Sequence, residues 1–280
     1  MRWTPGGDSS DVEDRRGQGG GGLNFGGFSG AHLGIGGTLV LVVLSFIFRT
    51  NLFDSGTTAE PGTSRPVAES PTESREVQFV TFVLYDVQST WEQKLPQAGT
   101  AYRHTKLVLF RDLTPSGCGT AQSATGPFYC PADEKVYIDL SFFEELRDRF
   151  GAPGEFAQAY VLAHEIGHHV QRLLGTEAKV RRLQRGDPSQ ANPLSVQLEL
   201  QADCYAGLWG HSTAQRKLID QADVSAGLQA AAAVGDDRLQ RMASGHVSPE
   251  SFTHGSSAQR MQWFKRGMSS GDIGACNTFQ

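Results

Sequence analysis

A histidine, a glutamate and a second histidine stand in the run Ala163-His164-Glu165-Ile166-Gly167-His168-His169. Residues four apart lie one above the other on the same face of an α-helix. In a helix, therefore, His164 and His168 offer two imidazoles to one Zn²⁺. Glu165 then stands beside the ion, where its carboxylate can take a proton from an acidified water. The pattern is H-E-x-x-H, and the chemistry it serves is metal-assisted hydrolysis of an amide bond. With three fixed letters in five, it also arises by chance on surface helices. Its meaning depends on a helix at this place and on a third ligand.

The helix is well specified. No proline falls between 155 and 174, and Phe156, Tyr160, Val161, Ala163, Ile166, Val170 and Leu173 recur mainly at helical spacing. Pro153 and Gly154 punctuate its start, and Gly175 suits its end. A second apolar-periodic helix is expected over 194–215, after a polar linker at 181–193. It carries Glu199 and Asp203, again four apart and on one face. A catalytic zinc takes three protein ligands and keeps one open position, and two histidines with a glutamate are a standard set. Glu199 can complete it. Asp203, one turn on, can accept a hydrogen bond from the far ring nitrogen of His164 and set its tautomer. The plain alternative is a solvated acidic face. Against it, Val196, Leu198, Leu200, Ala202, Tyr205, Ala206 and Leu208 make this helix mostly apolar, and a buried carboxylate requires a partner.

The runs His164-Glu165-Ile166-Gly167-His168-His169-Val170-Gln171 and Glu199-Leu200-Gln201-Ala202-Asp203-Cys204-Tyr205-Ala206-Gly207 resemble the bacterial neutral zinc metallopeptidase family. The likeness extends to 11–17, 126–131, 251–255 and the pair Gln259-Arg260, so it spans nearly the whole chain apart from a spacer. It implies a zincin-like domain of the gluzincin type in a single-span membrane protein. Zn²⁺ would be the cofactor and a peptide or protein the substrate.

On this reading His164, His168 and Glu199 hold the ion, Asp203 supports His164, and Glu165 is the general base. One more donor should stabilise the oxyanion. His254, in a turn-like Thr-His-Gly before the last helix, is the first candidate, with Tyr205 and His211 as alternatives. His169 lies about 100° round the helix from His168 and stays outside the ligand set. Arg260 reads as an anchor for the last helix rather than a substrate group. Two other function classes fit the same residues: a membrane-tethered scaffold with a structural zinc, and a zinc amidase acting on cell-wall amides.

The rest of the chain must position these groups. It has 280 residues and a formal net charge of -5, with scattered basic residues and no basic patch interleaved with aromatics. Nothing there attracts nucleic acid. Residues 1–30, rich in Gly, Ser, Asp and Arg, are expected to form a mobile tail. A nearly unbroken apolar run at 35–48, with its flanks, gives a span over 31–53, close to the ~20 residues that cross a bilayer. No small-x-small cleavage site follows it. Arg2, Arg15 and Arg16 precede the span and Arg49 alone directly follows, which puts the tail in the cytoplasm and the domain outside. A Ser/Thr/Pro/Glu spacer fills 54–74.

The catalytic domain, 75–280, is expected to be α+β: mainly helical with a small sheet. Val77, Val80, Leu84, Val87, Trp91 and Leu95 mark a helix, and 106–110 and 136–139 read as strands. Ser141, paired with Glu144, reads as the N-cap of a helix to Phe150. One or two helices are expected over 220–242 and a last one over 259–268. The strand region 126–138 could offer an edge to a substrate chain. Four cysteines without a C-x-x-C pair argue against a thiolate zinc site. Cys118 and Cys130 enclose a short loop suited to a disulfide, leaving Cys204 with Cys276. Such bonds suit an extracytoplasmic compartment, although other pairings and free thiols are open to four cysteines.

Overall fold

Ser70 starts the first long helix, α1 (Pro71–Lys94). Its hydroxyl accepts from the Glu73 amide at 3.1 Å, and Pro71 fills the first turn, where a missing N–H is harmless. The structure, a computed structural model, describes residues 1–7, 9–17 and 70–279. Its strands are β1 (Val12–Asp14), β2 (Lys106–Phe110), β3 (Leu113–Ser116), β4 (Gly119–Gln122), β5 (Phe128–Cys130) and β6 (Lys135–Asp139). One sheet runs in the order β1-β2-β6-β5, parallel except for the β5–β6 pair, and β3 with β4 makes a separate hairpin.

Alternation along β2 and β6 sorts their side chains by face. Leu107, Leu109, Val136 and Ile138 join Phe79, Val83, Leu84, Val87 and Trp91 of α1 in the main core. Val108, Phe110 and Tyr137 point the other way, into a smaller cluster with Ala121 and Cys130.

The remaining helices are α2 (Ser141–Asp148), α3 (Glu155–Leu173), α4 (Thr176–Gly186), α5 (Ala191–Gln215), α6 (Gln221–Ala233), α7 (Asp236–Ser244) and α8 (Ser257–Ser270). Phe156, Tyr160, Leu162, Ile166 and Val170 of α3 are buried, so this helix runs through the core. Glycines set how closely its neighbours approach. A Cβ on Gly167 would lie 3.2 Å from the Cα of Ala202, where α3 crosses α5. Where α5 crosses α8, a Cβ on Gly207 would lie 2.1 Å from the Phe264 carbonyl oxygen, and one on Gly267 would lie 1.9 Å from that of Cys204. No larger residue fits without moving the helices apart. Disulfides join Cys118 to Cys130 and Cys204 to Cys276, the second tying α5 to the carboxy-terminal segment.

Several expectations need correction. The fold is mainly helical with a small sheet, but the preceding transmembrane helix does not stand. Among the described residues no helix is long and apolar enough to cross a membrane, and the expected span, 31–53, lies outside them. The segment up to Gly17 is not a free tail. It cannot fold alone, but it adds β1 to an existing sheet edge and seats Trp3 against Phe79 and Phe82. The helix expected from Val77 begins at Pro71, inside the expected spacer. The expected linker at 181–193 is helical to Gly186, where Glu177 pairs with Arg181 one turn on and Val180 is buried. Ser141 is the first residue of α2 rather than its cap; the Asp139 carboxylate accepts from the Ser141 amide instead, at 3.0 Å. The 220–242 region is two helices, broken at Val234-Gly235.

Candidate metal centre

His164 and His168 sit one turn apart on α3, and their Nε2 atoms face Glu199 of α5, at 3.1 Å from Oε2 and 3.5 Å from Oε1 respectively. One ligand atom from each of the three side chains lies within 4.8 Å of the other two. Two imidazole nitrogens and a carboxylate oxygen converging this way are a donor set that zinc accepts. The Gly167–Ala202 approach brings α3 and α5 close enough for it.

The far ring nitrogens are also engaged. His164 Nδ1 lies 2.9 Å from Asp203 Oδ1, as the i, i+4 pairing of Glu199 with Asp203 led us to expect. Asp203 is fully buried and takes a bidentate grip from Arg260 of α8, Nε to Oδ2 at 2.8 Å and Nη2 to Oδ1 at 2.9 Å. It also accepts from the Tyr160 hydroxyl. His168 Nδ1 meets Gln171 Oε1 at 2.9 Å.

The electrostatics favour a cation at the convergence. Burial opposes charge on His164, yet Asp203 and Glu199 hold its pKa up to about 9. His168 is raised against the same burial by Glu199. Burial should also raise Glu199, but the two imidazoles and His254 hold it well below the usual carboxylate range. Carboxylates that stabilise a proton on these rings stabilise a divalent ion in its stead.

Glu165 is buried one residue beyond His164. Burial raises its pKa, against the pull of both histidines. Burial opposes charge on His254, but its contact with Asp236, Nδ1 to Oδ1 at 3.2 Å, and the charge of Glu199 raise its pKa. The two alternatives to it are engaged elsewhere. Tyr205 packs edge-on against Trp91, and His211 Nδ1 meets the Met268 carbonyl. His169 bridges the Tyr129 hydroxyl and the Arg103 carbonyl.

Three contributors were not assigned from sequence. Tyr160 sits four residues before His164 and Gln171 three after His168, so helical periodicity put both in reach. Arg260 was read as an anchor, which it is, but its partner Asp203 could not be named across 57 residues.

Fold and site together define a helical domain that presents a His-His-Glu group able to hold one metal ion. A family model described as "Putative neutral zinc metallopeptidase" matches residues 1–279, and the chain belongs to that family. The uncharacterized protein YpfJ of Escherichia coli is 46% identical over 285 residues, covering 100% of this chain and 99% of the relative. An uncharacterized protein of Mycobacterium tuberculosis is 44% identical over 204 residues, 69% of this chain and 67% of its own length. No solved structure matches the chain significantly.

Proposed function

We propose that the protein is a zinc-dependent peptidase whose ion is held by His164, His168 and Glu199. The observation that carries this reading is the convergence of those three ligand atoms, with Glu165 on the same helix as the two histidines. When bound, zinc supplies Lewis acidity, polarising the scissile carbonyl and acidifying the attacking water. The chain's own groups do the rest. Asp203 and Gln171 fix the two imidazoles from behind. Glu165, buried and raised in pKa, takes the proton from water and delivers it to the departing amine. His254, steadied by Asp236, donates to the developing oxyanion. The outer edge of β5, whose Tyr129 hydroxyl meets His169 next to the ligand His168, supports a peptide substrate that pairs as an added strand. The two disulfides support an oxidising, extracytoplasmic setting for the domain.

The test is cleavage of casein and of peptidoglycan fragments by the full chain, each with and without a chelator. Chelator-sensitive cleavage of casein is expected, lost by about 10²-fold or more in Glu165→Gln while zinc content is retained. Undiminished cleavage by that variant would remove Glu165 from its role. Cleavage of the cell-wall fragments alone would turn the reading toward an amidase.

A further inference from the structure

We propose that Gln171 and Gln201 are positioning residues that impose the Nδ1–H tautomer on His168 by a one-directional relay of hydrogen bonds. The inference rests on the reading of His168 as a zinc ligand. Its starting point is the Cys276 carbonyl, which can only accept. Gln201 Nε2 lies 3.0 Å from that oxygen, so the amide end of Gln201 is fixed and its Oε1 must accept. Gln171 Nε2 donates to that Oε1 at 3.1 Å and to the Leu198 carbonyl at 2.7 Å, using both of its hydrogens. Gln171 Oε1 is then left to face His168 Nδ1 at 2.9 Å. An oxygen there accepts, so Nδ1 must carry the proton and Nε2 keeps its lone pair for the metal.

Reversing any member breaks the relay. Turning Gln171 over would set its oxygen against the Leu198 carbonyl and Gln201 Oε1. A proton on Nε2 instead would set the bare Nδ1 against Gln171 Oε1. Both glutamines are buried, 0% and 6% exposed, so water cannot relieve either mismatch. The far end is anchored covalently, because Cys276 is disulfide-bonded to Cys204 of α5. His164 has a carboxylate behind it; His168 obtains the same orientation from neutral groups.

The experiment titrates zinc into the apo full chain against a chromophoric chelator, with folding followed by circular dichroism. Gln171→Met keeps the length of the side chain and removes both amide functions. Its zinc affinity should fall about 10- to 100-fold. Gln201→Met should lose less, since Gln171 keeps its bond to Leu198. In zinc-loaded wild type with ¹⁵N-labelled histidine, long-range proton–nitrogen correlation should show the His168 proton on Nδ1, a measurement that holds even if a variant fails to fold. Unchanged affinity in folded Gln171→Met overturns the proposal while leaving the zinc site standing; a proton on Nε2 in the zinc-loaded chain overturns both, because a protonated Nε2 has no lone pair for the metal. Wild type that binds no zinc overturns both.

Discussion

His164 and His104 are built alike: each ring stands between two carboxylates. His164 meets Asp203 through Nδ1 and Glu199 through Nε2. His104 meets Asp11 through Nδ1 at 2.6 Å and Glu92 through Nε2 at 2.7 Å. The surroundings differ. The His164 side chain is 7% exposed and that of His104 is 39%. Behind His164, Arg260 pins Asp203 from a third helix; beside it, His168 shares Glu199. His104 has Gln88 and Tyr102 for company and ties the amino-terminal segment to α1. The same three residue types thus make a candidate metal centre in one place and a surface latch in the other. Burial and a further charge separate them, because a desolvated charge must be compensated and a solvated one need not be.

The largest expected effect tests that distinction directly. Arg260→Met removes the guanidinium and leaves the Asp203 carboxylate buried with only Tyr160 and His164. Breaking a buried pair from one side costs about 3–5 kcal/mol, read as a shift of the urea midpoint. Asp203→Leu combined with Arg260→Met should recover part of that loss, since no unpaired charge remains. His104→Gln should change stability by under about 1 kcal/mol. If Arg260→Met costs no more than His104→Gln, burial does not distinguish the two sites.

Zinc sharpens the comparison further. A ligand that binds only the folded state at 100 times its Kd stabilises by about 2.7 kcal/mol. Wild type and His104→Gln should both show that shift in thermal unfolding when zinc is added to the chelator-treated chain. His164→Asn should lose it. Equal responses from the two histidine variants would mean that zinc acts somewhere other than the convergence on Glu199.

What could be read from sequence follows the same divide. The meeting of His164, His168, Glu199 and Asp203 was legible because helical spacing is local and a zinc ion needs three ligands. Arg260 was not, because nothing in the chain states how far α8 lies from α5; that depends on the Gly207–Gly267 crossing. Helix α4 was obscured by its charge, with Val180 its only buried apolar residue. The docking of the amino-terminal segment is hidden in the sequence for a related reason. Three residues of β1 are too few for alternation to register, and their partners in β2 lie 95 residues away, as Val12 pairs with Leu107. The Gly-rich composition around 11–17 also favours a tail, because it offers little apolar surface to bury.

The smallest effect expected is a pH window for that segment. Burial opposes charge on His104, but its hydrogen bonds to Asp11 and Glu92 raise its pKa above 6.5. Its contribution is therefore complete below pH 6.5 and fades as pH rises through the raised value. Asp14 is lowered below 3.8 by its hydrogen bond to Arg16; Glu13 is lowered below 4.5, against burial, by Lys135 and Arg15. Their contributions are complete above those values and fade as pH falls through the lowered ones. Docking should thus be firmest between pH 4.5 and 6.5, by under about 1 kcal/mol relative to either side, because these groups are partly solvated and screened. Amide hydrogen exchange at Val12–Asp14, corrected for its intrinsic pH dependence, should be slowest in that window. In His104→Gln the alkaline loss should vanish and the acid one persist. Loss of both together would mean that the segment is held by the fold as a whole rather than by this latch. The backbone pairing of β1 with β2 and the Arg2 amide on the Leu218 carbonyl do not titrate and should keep the segment seated throughout.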